Sequence, residues 1–175
     1  MDDLILLRPD ETMLDEITAY RNAMLDAGSS MDGCSGLQNY ESAAEWLAHV
    51  RAMESEETCP PNLVTATLFV CVRKTDFRLV GMIDLRHRLN DFLAEYGGHI
   101  GYSVRPDERR KGYAKRMLAL ALPEARKRGI DRVLITCDVD NEASRRTIQA
   151  NGGQFERNAG PENEKQTASR FWIDV

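Results

Sequence analysis

The sequence of 175 residues lacks the features that mark several classes of protein. It has no apolar run near the roughly 18 residues that a membrane span requires, and its start, Met1-Asp2-Asp3, is acidic where a secretion signal is basic. With 6 prolines and 12 glycines, it also lacks the composition of a disordered or collagen-like chain. We therefore expect a soluble globular protein that does not associate with membranes.

Cysteine and histidine are scarce as well, with four and three residues respectively. The cysteines lie far apart and form no C-x-x-C pair: Cys34, Cys59, Cys71 and Cys137. This spacing predicts neither a zinc site nor a disulfide framework, so we expect no bound metal. Reduced thiols without a secretion signal predict a cytoplasmic protein.

The chain length fits a single domain, residues 1–175, and no repeat or long linker divides it. Apolar alternation and helical periodicity predict the element order β-α-α-β-β-β-α-β-α-β-β. The predicted strands are 4–7, 63–73, 78–85, 100–104, 132–139, 154–157 and 170–175, and the predicted helices are 14–27, 42–53, 113–128 and a short helix near Asn141, with a polar loop at 158–169. A mixed α/β sheet with helices on its faces follows.

Charge is distributed unevenly along the chain. Residues 1–60 contain three basic and thirteen acidic residues, a net charge of −10, whereas residues 105–128 contain nine basic and three acidic residues, a net charge of +6. A compact basic stretch in an acidic protein fits a small polyanionic ligand better than a nucleic acid, which usually meets a broad basic face. We expect no nucleic-acid partner, although a solvated helix face would also explain the basic stretch.

The most informative segment follows the strand that ends at Val104, where a turn leads into a helix. The first N–H groups of a helix have no intrahelical acceptor and lie at the positive end of the helix dipole, so they bind phosphate. Gly112 and Ala114 keep side-chain bulk away from that main chain. Three basic residues add positive charge: Arg109, Arg110 and Lys111. Neither G-x-x-x-x-G-K-[ST] nor G-x-G-x-x-G is present, which points to another pyrophosphate ligand.

Arg109-Arg110-Lys111-Gly112-Tyr113-Ala114 matches [Q/R]-x-x-G-x-[G/A], the acetyl-coenzyme A motif of the GNAT superfamily of N-acetyltransferases, which this sequence resembles. Gly101-Tyr102-Ser103-Val104-Arg105-Pro106 is similar to the fourth strand of those enzymes, and Asn141-Glu142-Ala143-Ser144 to their N-x-x-[AS] segment. The resemblance implies a mostly antiparallel twisted sheet with helices on both faces. It also implies acetyl transfer from acetyl-CoA to a primary amine in a ternary complex.

The resemblance further implies a set of coenzyme contacts. Main-chain amides from Arg110 to Ala114 would hold the pyrophosphate, and basic side chains would add positive charge. The motif residues expected to contact the coenzyme are Arg109, Arg110, Lys111, Gly112, Tyr113 and Ala114. The main chain of Val104 would pair with the pantetheine arm, and Asn141 and Ser144 would contact the same arm. In that family the fourth and fifth strands splay apart, and the thioester enters the gap.

Acetylation also requires a base, because an alkylamine has a pKa of about 10.4 and must lose a proton before it attacks. His99 is the first candidate, because related enzymes often have a glutamate base at its position; alternatively, it is a strand histidine hydrogen-bonded to the main chain. Glu95 is the second candidate, with a solvated loop carboxylate as the alternative. Asp84 and His87, near the end of the third strand, are further candidates to line the pocket, although Arg86-His87-Arg88 is more simply interpreted as the polar end of a strand.

The sequence departs from the family at the proton donor to the leaving sulfur. Many members have a tyrosine in an L-Y-x-x-x-G pattern, but the aligned residues here are Thr147 and Ile148, and Ile148 has no proton to donate. The role of that tyrosine stays unassigned: a thiol with a pKa of about 8.5 can leave without full protonation, and water or Tyr102 are the candidates to replace the tyrosine. The departure also leaves open a second interpretation, a coenzyme-A-binding regulatory module that has lost catalysis.

The acceptor is the least constrained part of the prediction. The net charge of −10 over residues 1–60 favours a cationic amine, either a small molecule or a peptide. A polyamine, an aminoglycoside, a lysine side chain and a protein N-terminus all stay open, as does surface acidity unrelated to the substrate. A homodimer is also left open.

Overall fold

A computed structural model describes residues 3–160 and 167–175 of the chain. Its strands and α-helices are β1 (Leu4–Leu7), α1 (Leu14–Asp26), α2 (Ala43–Ala52), β2 (Ala66–Arg73), β3 (Arg78–Arg86), β4 (Ile100–Val104), α3 (Tyr113–Lys127), β5 (Arg132–Asp138), α4 (Glu142–Gln149), β6 (Gln154–Ala159) and β7 (Ala168–Asp174). The predicted mixed α/β fold is confirmed, and the elements follow the predicted order. No helix within the described residues is long and apolar enough to cross a membrane. That residues 1–175 form one domain stays a prediction.

The strands form two antiparallel sheets. The first has the order β1-β2-β3-β4, and the second has the order β5-β7-β6. Helices pack on both faces of the first sheet because strand residues alternate between the faces. In β3, Ile83 belongs to a buried core with Met117 of α3, whereas Met82 belongs to a second core with Ile17 of α1 and Trp46 of α2.

Alternation along β4 directs neighbouring polar side chains to opposite faces of the sheet. The hydroxyl of Tyr102 lies 2.7 Å from the hydroxyl of Ser144 in α4. The hydroxyl of Ser103 lies 2.9 Å from the hydroxyl of Tyr20 in α1. A molecule bound next to β4 can therefore contact hydroxyl groups on both faces of the sheet.

The two sheets meet where β4 begins. The amide of His99 donates a hydrogen bond to the carbonyl oxygen of Leu134 in β5 at 2.7 Å, and Thr136 Oγ1 donates to the carbonyl of Tyr96 at 2.6 Å. Within the described ranges, β4 and β5 are not paired as a ladder. Gly98 permits the close approach, because a Cβ at this residue would lie 2.6 Å from the Leu134 oxygen. The strands are thus joined at one end and leave a gap at the other.

The structure differs from the sequence expectations at several boundaries. The polar loop predicted at 158–169 is too long, because Asn158 and Ser169 are register partners in β6 and β7 and Ser169 Oγ donates to Asn158 Oδ1 at 2.8 Å. Residues 161–166 of that predicted loop lie outside the described residues. The sequence analysis also missed a π-helical turn at Leu93–Gly97, which is too short to produce a periodic pattern.

The close approach at Gly98 gives a stability prediction. We expect Gly98→Ala to lower the free energy of unfolding by about 2–5 kcal/mol, because its φ of +67° disfavours a side chain and the new Cβ would clash with Leu134. Gly152→Ala is the matched control, with a φ of +88° and open space around the Cβ, and should cost about 1–2 kcal/mol. Urea unfolding measures both changes. Equal losses would contradict the tight β4–β5 contact.

Candidate active site

The turn between β4 and α3 has the backbone geometry of an anion site. Arg110 and Gly112 both have left-handed conformations, with φ of 62° and 79°, on either side of Lys111. Such alternation turns consecutive N–H groups towards one side and forms a concave site for an anion. Gly112 precedes the first residue of α3 and provides no side-chain cap, and the first main-chain hydrogen bond of the helix joins the Arg116 amide to the Gly112 oxygen.

A buried carboxylate holds this turn in place. Glu108 is 3% exposed and accepts hydrogen bonds from Arg73 at 3.0 Å and from Lys111 at 2.7 Å, while Arg78 Nε lies 3.2 Å from its other oxygen. Burial opposes ionisation, but the hydrogen bonds from Lys111 and Arg73 hold the pKa of the Glu108 carboxyl below its usual value. Three cations from β2, β3 and the turn therefore converge on one anion beneath the anion site.

The three basic residues of the motif have different surroundings. Arg109 points back into the protein, where its guanidinium donates to the Val104 carbonyl at 3.0 Å and to Ser29 Oγ at 2.9 Å. Lys111 is paired with Glu108. Arg110 is exposed, and within the described residues its side chain has no hydrogen-bond or ion-pair partner. Arg110 is thus the motif side chain available to an anion, whereas Arg109 and Lys111 fix the turn.

A cleft of about 1420 Å³ extends from this turn along β4 to the loop between α1 and α2. Most of the predicted site residues line it: Tyr102, Val104, Arg109, Arg110, Gly112, Tyr113, Ala114, Asn141 and Ser144. The remaining three predicted residues, Glu95, His99 and Lys111, are not among its lining residues. The structure therefore brings the predicted coenzyme-binding residues together, apart from Lys111, and leaves the two predicted bases outside the cleft.

The N-terminus of α4 faces β4 across the gap between β4 and β5. Asn141 caps the helix, with its Oδ1 accepting from the Ser144 amide at 3.0 Å. The hydroxyl of Ser144 meets the Tyr102 hydroxyl at 2.7 Å, and Cys137 of β5 lines the same part of the cleft. Burial raises the pKa of Tyr102 to about 12, so this phenol keeps its proton at neutral pH. The gap therefore has a hydrogen-bond donor on its wall.

His99 is engaged with the main chain of β5. The ring is 8% exposed, and its Nδ1 accepts a hydrogen bond from the Leu134 amide at 2.9 Å. Burial, and then the charge of Arg86, lower the pKa of His99 to about 4, so the ring is neutral and its proton lies on Nε2. This geometry matches the alternative interpretation, a strand histidine hydrogen-bonded to the main chain. It disfavours the predicted base, because the free lone pair is already used.

Glu95 has similarly unfavourable surroundings for a base. Its two oxygens accept hydrogen bonds from the Arg157 guanidinium at 2.9 and 2.6 Å, and the Arg170 guanidinium lies 3.7 Å away. Hydrogen bonding by Arg157 holds the pKa of Glu95 below its usual value. A carboxylate stabilised in this way accepts protons poorly. The ion pairs of Glu95 instead connect the π-helical turn to β6 and β7.

Asp84 in β3 is the acidic residue that the sequence analysis gave too little weight. It is 6% exposed and lines the cleft, and its Oδ1 has no hydrogen-bond partner among the described residues. Burial raises the pKa of Asp84 to about 6, against the opposing charge of Arg86. The available signal was a carboxylate within a strand that is otherwise apolar from Leu79 to Leu85. His87, by contrast, bonds Thr67 Oγ1 at 2.9 Å and is not a lining residue.

Comparison with known proteins assigns the chain to a family. Residues 3–154 match the model of the acetyltransferase (GNAT) domain. The chain belongs to the GNAT acetyltransferase family. Membership confirms the predicted acyltransferase and acetyl-CoA as its acetyl donor. A sequence comparison with curated proteins gives no match.

Solved GNAT structures share the fold over nearly the whole chain. The microcin C7 self-immunity acetyltransferase MccE, solved with acetyl-CoA and AMP, is 17% identical with a TM-score of 0.70, covering 100% of this chain and 94% of its own. The protein yncA from Salmonella typhimurium, solved with its cofactor acetyl-CoA, is 15% identical with a TM-score of 0.64, covering 98% and 93%. Spermidine N-acetyltransferase from Vibrio cholerae, a dodecamer, is 15% identical with a TM-score of 0.65, covering 98% and 93%.

The hydrogen bonds of His99 lead to a prediction that separates structure from catalysis. We expect His99→Gln in this GNAT enzyme to leave kcat within about threefold of wild type, whereas loss of a general base costs about 10²–10⁴-fold. Stability should fall instead, because the contact between the ring and Leu134 is lost. Steady-state kinetics and urea unfolding measure the two effects. A hundredfold fall in kcat would restore His99 as the base.

The same variant should change how stability depends on pH. Because the pKa of His99 in the folded protein is about 4, below its ordinary 6.5, the unfolded chain binds more protons between these values. Stability therefore falls as the pH drops from about 6.5 to 4. His99→Gln should flatten that part of the profile, and an unchanged slope would show that His99 does not contribute to it.

Proposed function

We propose that this enzyme transfers the acetyl group of acetyl-CoA to a primary amine by direct attack within a ternary complex. The observation that carries the proposal is a single cleft that joins an anion-binding turn to the gap between β4 and β5. Acetyl-CoA has a pyrophosphate at one position and a thioester at the end of an extended arm. The cleft has a phosphate site followed by a narrow gap, in the same order as the pyrophosphate and the thioester along the coenzyme.

The turn fits the pyrophosphate. None of the amides from Arg110 to Gly112, nor those of Ala114 and Lys115, donates to another main-chain group within the described residues. A Cβ added at Gly112 would meet nothing within 4 Å, so the main chain there faces open space. The Arg110 side chain supplies a charge that no other described group neutralises. These groups would hold two phosphates by main-chain donors and one guanidinium.

The arm of the coenzyme is proposed to follow β4 into the gap. Val104 lines the cleft at the end of β4, and the edge of this strand that faces β5 is not paired within the described ladders. Asn141 lies opposite: its Oδ1 caps α4, and its Nδ2 has no partner among the described residues. An extended amide-containing chain between these groups would gain hydrogen bonds as an added strand does.

Tyr102 is proposed to assist the departure of the sulfur. Its hydroxyl lies in the gap next to Ser144, and at neutral pH it carries a proton. A phenol with a pKa of about 12 does not transfer its proton fully to a thiolate, whose pKa is about 8.5. Tyr102 therefore acts by donating a hydrogen bond as negative charge develops on the sulfur. Ile148 cannot fill this role, since its hydrocarbon side chain has no proton to donate, and it lies fully buried in the apolar core.

Two comparisons bear on the acceptor, and each applies to its own protein: one solved structure is named as a spermidine acetyltransferase, and another was solved with AMP. For this chain we propose an amine acceptor. A homodimer, a cytoplasmic location and the absence of a nucleic-acid partner stay predictions.

A matched pair of glycine substitutions tests the coenzyme site. Gly112→Glu should weaken coenzyme A binding by at least about a hundredfold, because it places a carboxylate where the phosphates are proposed to lie. Gly129→Glu is the control, since its φ of +76° and the open space around its Cβ match those of Gly112, with φ of +79°, at the other end of α3. Isothermal titration calorimetry with coenzyme A measures binding, and release of thiol with a panel of amines measures turnover.

Unchanged affinity in Gly112→Glu would contradict the proposed site. Coenzyme binding by the wild-type protein without turnover of any amine would favour the regulatory-module interpretation.

A further inference from the structure

We propose that the buried carboxylate of Asp84 binds the ammonium group of the acceptor and takes its proton, and that the acceptor is a monoamine with a compact apolar body. This inference rests on the proposed acetyl transfer and names a general base other than the two sequence candidates, His99 and Glu95. Asp84 lies on β3, and its register partner on β4 is Gly101, next to Tyr102 in the wall of the gap. It would contact the reacting nitrogen directly.

Asp84 is buried without the partners that usually accompany such burial. Its nearest cation is Arg86, whose Nε lies 3.5 Å from Oδ2, while Arg86 Nη1 donates to the carbonyl oxygens of Gly97 and Gly98 at 3.0 and 3.3 Å. The other oxygen, Oδ1, has no hydrogen-bond partner among the described residues. An unsatisfied buried carboxylate oxygen costs free energy, and a ligand that supplies a charged N–H donor removes that cost. An ammonium group is such a donor.

Asp84 is placed on the face from which an acceptor can approach. Because register partners share a face, Asp84 and Gly101 face the layer formed by α1 and α2, whereas Tyr102 faces α4. The loop between α1 and α2 closes over this position, since a Cβ at Gly33 would lie 2.2 Å from the Gly101 oxygen. The proposed coenzyme arm and the amine would therefore reach the gap from opposite faces of the sheet.

A second cavity of about 540 Å³ continues from Asp84 and indicates the chemistry of the acceptor body. Its wall is largely apolar, with Tyr40, Met53, Leu63, Val64, Phe92 and Leu93 among its lining residues. Asp84 and Arg86 line both this cavity and the main cleft. An amine whose nitrogen lies at Asp84 therefore has an apolar compartment for the rest of the molecule.

The charges around the second cavity disfavour a polycation. Among its described lining residues Asp84 is the one carboxylate, Arg86 adds a positive charge, and burial lowers the pKa of His49, which keeps that ring neutral near pH 7. Some acidic residues of the first third form ion pairs elsewhere on the surface, for example Glu11 with Arg51 and Glu54 with Arg8. A second ammonium group in this cavity would meet no anion and would lie near a guanidinium. A compact monoamine places its one positive charge at Asp84 and its apolar body against the wall of the cavity.

The reaction balances with Asp84 as the base. The bound ammonium first gives one proton to Asp84, which leaves a neutral amine. The nitrogen then forms a bond to the acetyl carbon, the bond from that carbon to sulfur breaks, and the electron pair goes to sulfur. The second proton leaves the nitrogen for the thiolate, which yields the amide and coenzyme A thiol. Desolvation favours the first transfer, because it replaces an ion pair with two neutral groups.

The carboxyl proton then returns to solvent. At neutral pH this step is favourable because the pKa of Asp84 is about 6. The titratable groups near Asp84 are Arg86 on its own strand, Cys34 and Asp32 on the loop between α1 and α2, and His49 on α2 in the second cavity. Burial raises the pKa of the Cys34 thiol to about 12, so it stays neutral through the working range.

The test compares Asp84→Asn with wild type on two amines, 2-phenylethylamine as the apolar monoamine and spermidine as the polycation. We expect wild type to prefer 2-phenylethylamine in kcat/KM, and Asp84→Asn to lower kcat/KM for it by about 10²–10⁴-fold with unchanged coenzyme A affinity. In wild type, kcat/KM should fall as the pH drops through about 6, because protonation removes the base. The pH profile of Asp84→Asn should lack this fall in kcat/KM at low pH. Asp26→Asn, an exposed carboxylate at the end of α1 that lines neither cavity, is the control and should change little.

Turnover of 2-phenylethylamine by Asp84→Asn within about threefold of wild type would overturn the role of Asp84. A wild-type enzyme that acetylates spermidine but not 2-phenylethylamine would overturn the acceptor class, and so would acetylation of neither amine. In each case coenzyme A binding and thiol release with the broader amine panel still report separately on the proposed acetyl transfer.

Discussion

The site depends on one constraint, the attachment of β4 to β5 at a single end. His99 forms two hydrogen bonds with Leu134, through its amide and its ring, and Gly98 brings the main chains together. Beyond that point β4 and β5 are not paired with each other within the described ladders, so β4 keeps a free edge. An open strand edge exposes unsatisfied N–H and C=O groups and favours binding of another extended chain. In this enzyme that edge faces the cleft, which makes a property that usually promotes aggregation useful for ligand binding.

A second constraint fixes the other end of the cleft. Glu108 is nearly inaccessible to solvent, yet it pairs with Lys111 and with arginines from β2 and β3. Removing one partner of a buried ion pair lowers the free energy of unfolding by several kcal/mol. This cluster therefore attaches the anion-binding turn firmly to the sheet. Arg109 adds a second tie through the Val104 carbonyl. The turn is thus held in shape before any ligand arrives, which lowers the entropic cost of binding.

Sequence patterns predicted the parts of this enzyme that depend on local rules. The order of elements follows from periodicity and agrees with the structure, and short motifs led to the turn before α3 and to Asn141, which line one cleft. The proposed base, Asp84, did not follow from the sequence, because a base is defined by what surrounds it. His99 and Asp84 are both polar residues in apolar strands, and the sequence alone gave no reason to prefer the second. Only the tertiary contacts show that the Leu134 amide donates a hydrogen bond to the ring of His99. They also show that one oxygen of Asp84 has no hydrogen-bond partner among the described residues.

The central claim is that the turn and the free edge of β4 together hold one coenzyme molecule, and a crystal structure with bound coenzyme A tests it most directly. We expect the pyrophosphate oxygens within hydrogen-bond distance of amides between Arg110 and Lys115, and the pantetheine arm alongside Val104 with the sulfur in the gap near Tyr102. Density for the coenzyme away from this cleft, or a gap closed by continuous β4–β5 pairing, would contradict the account.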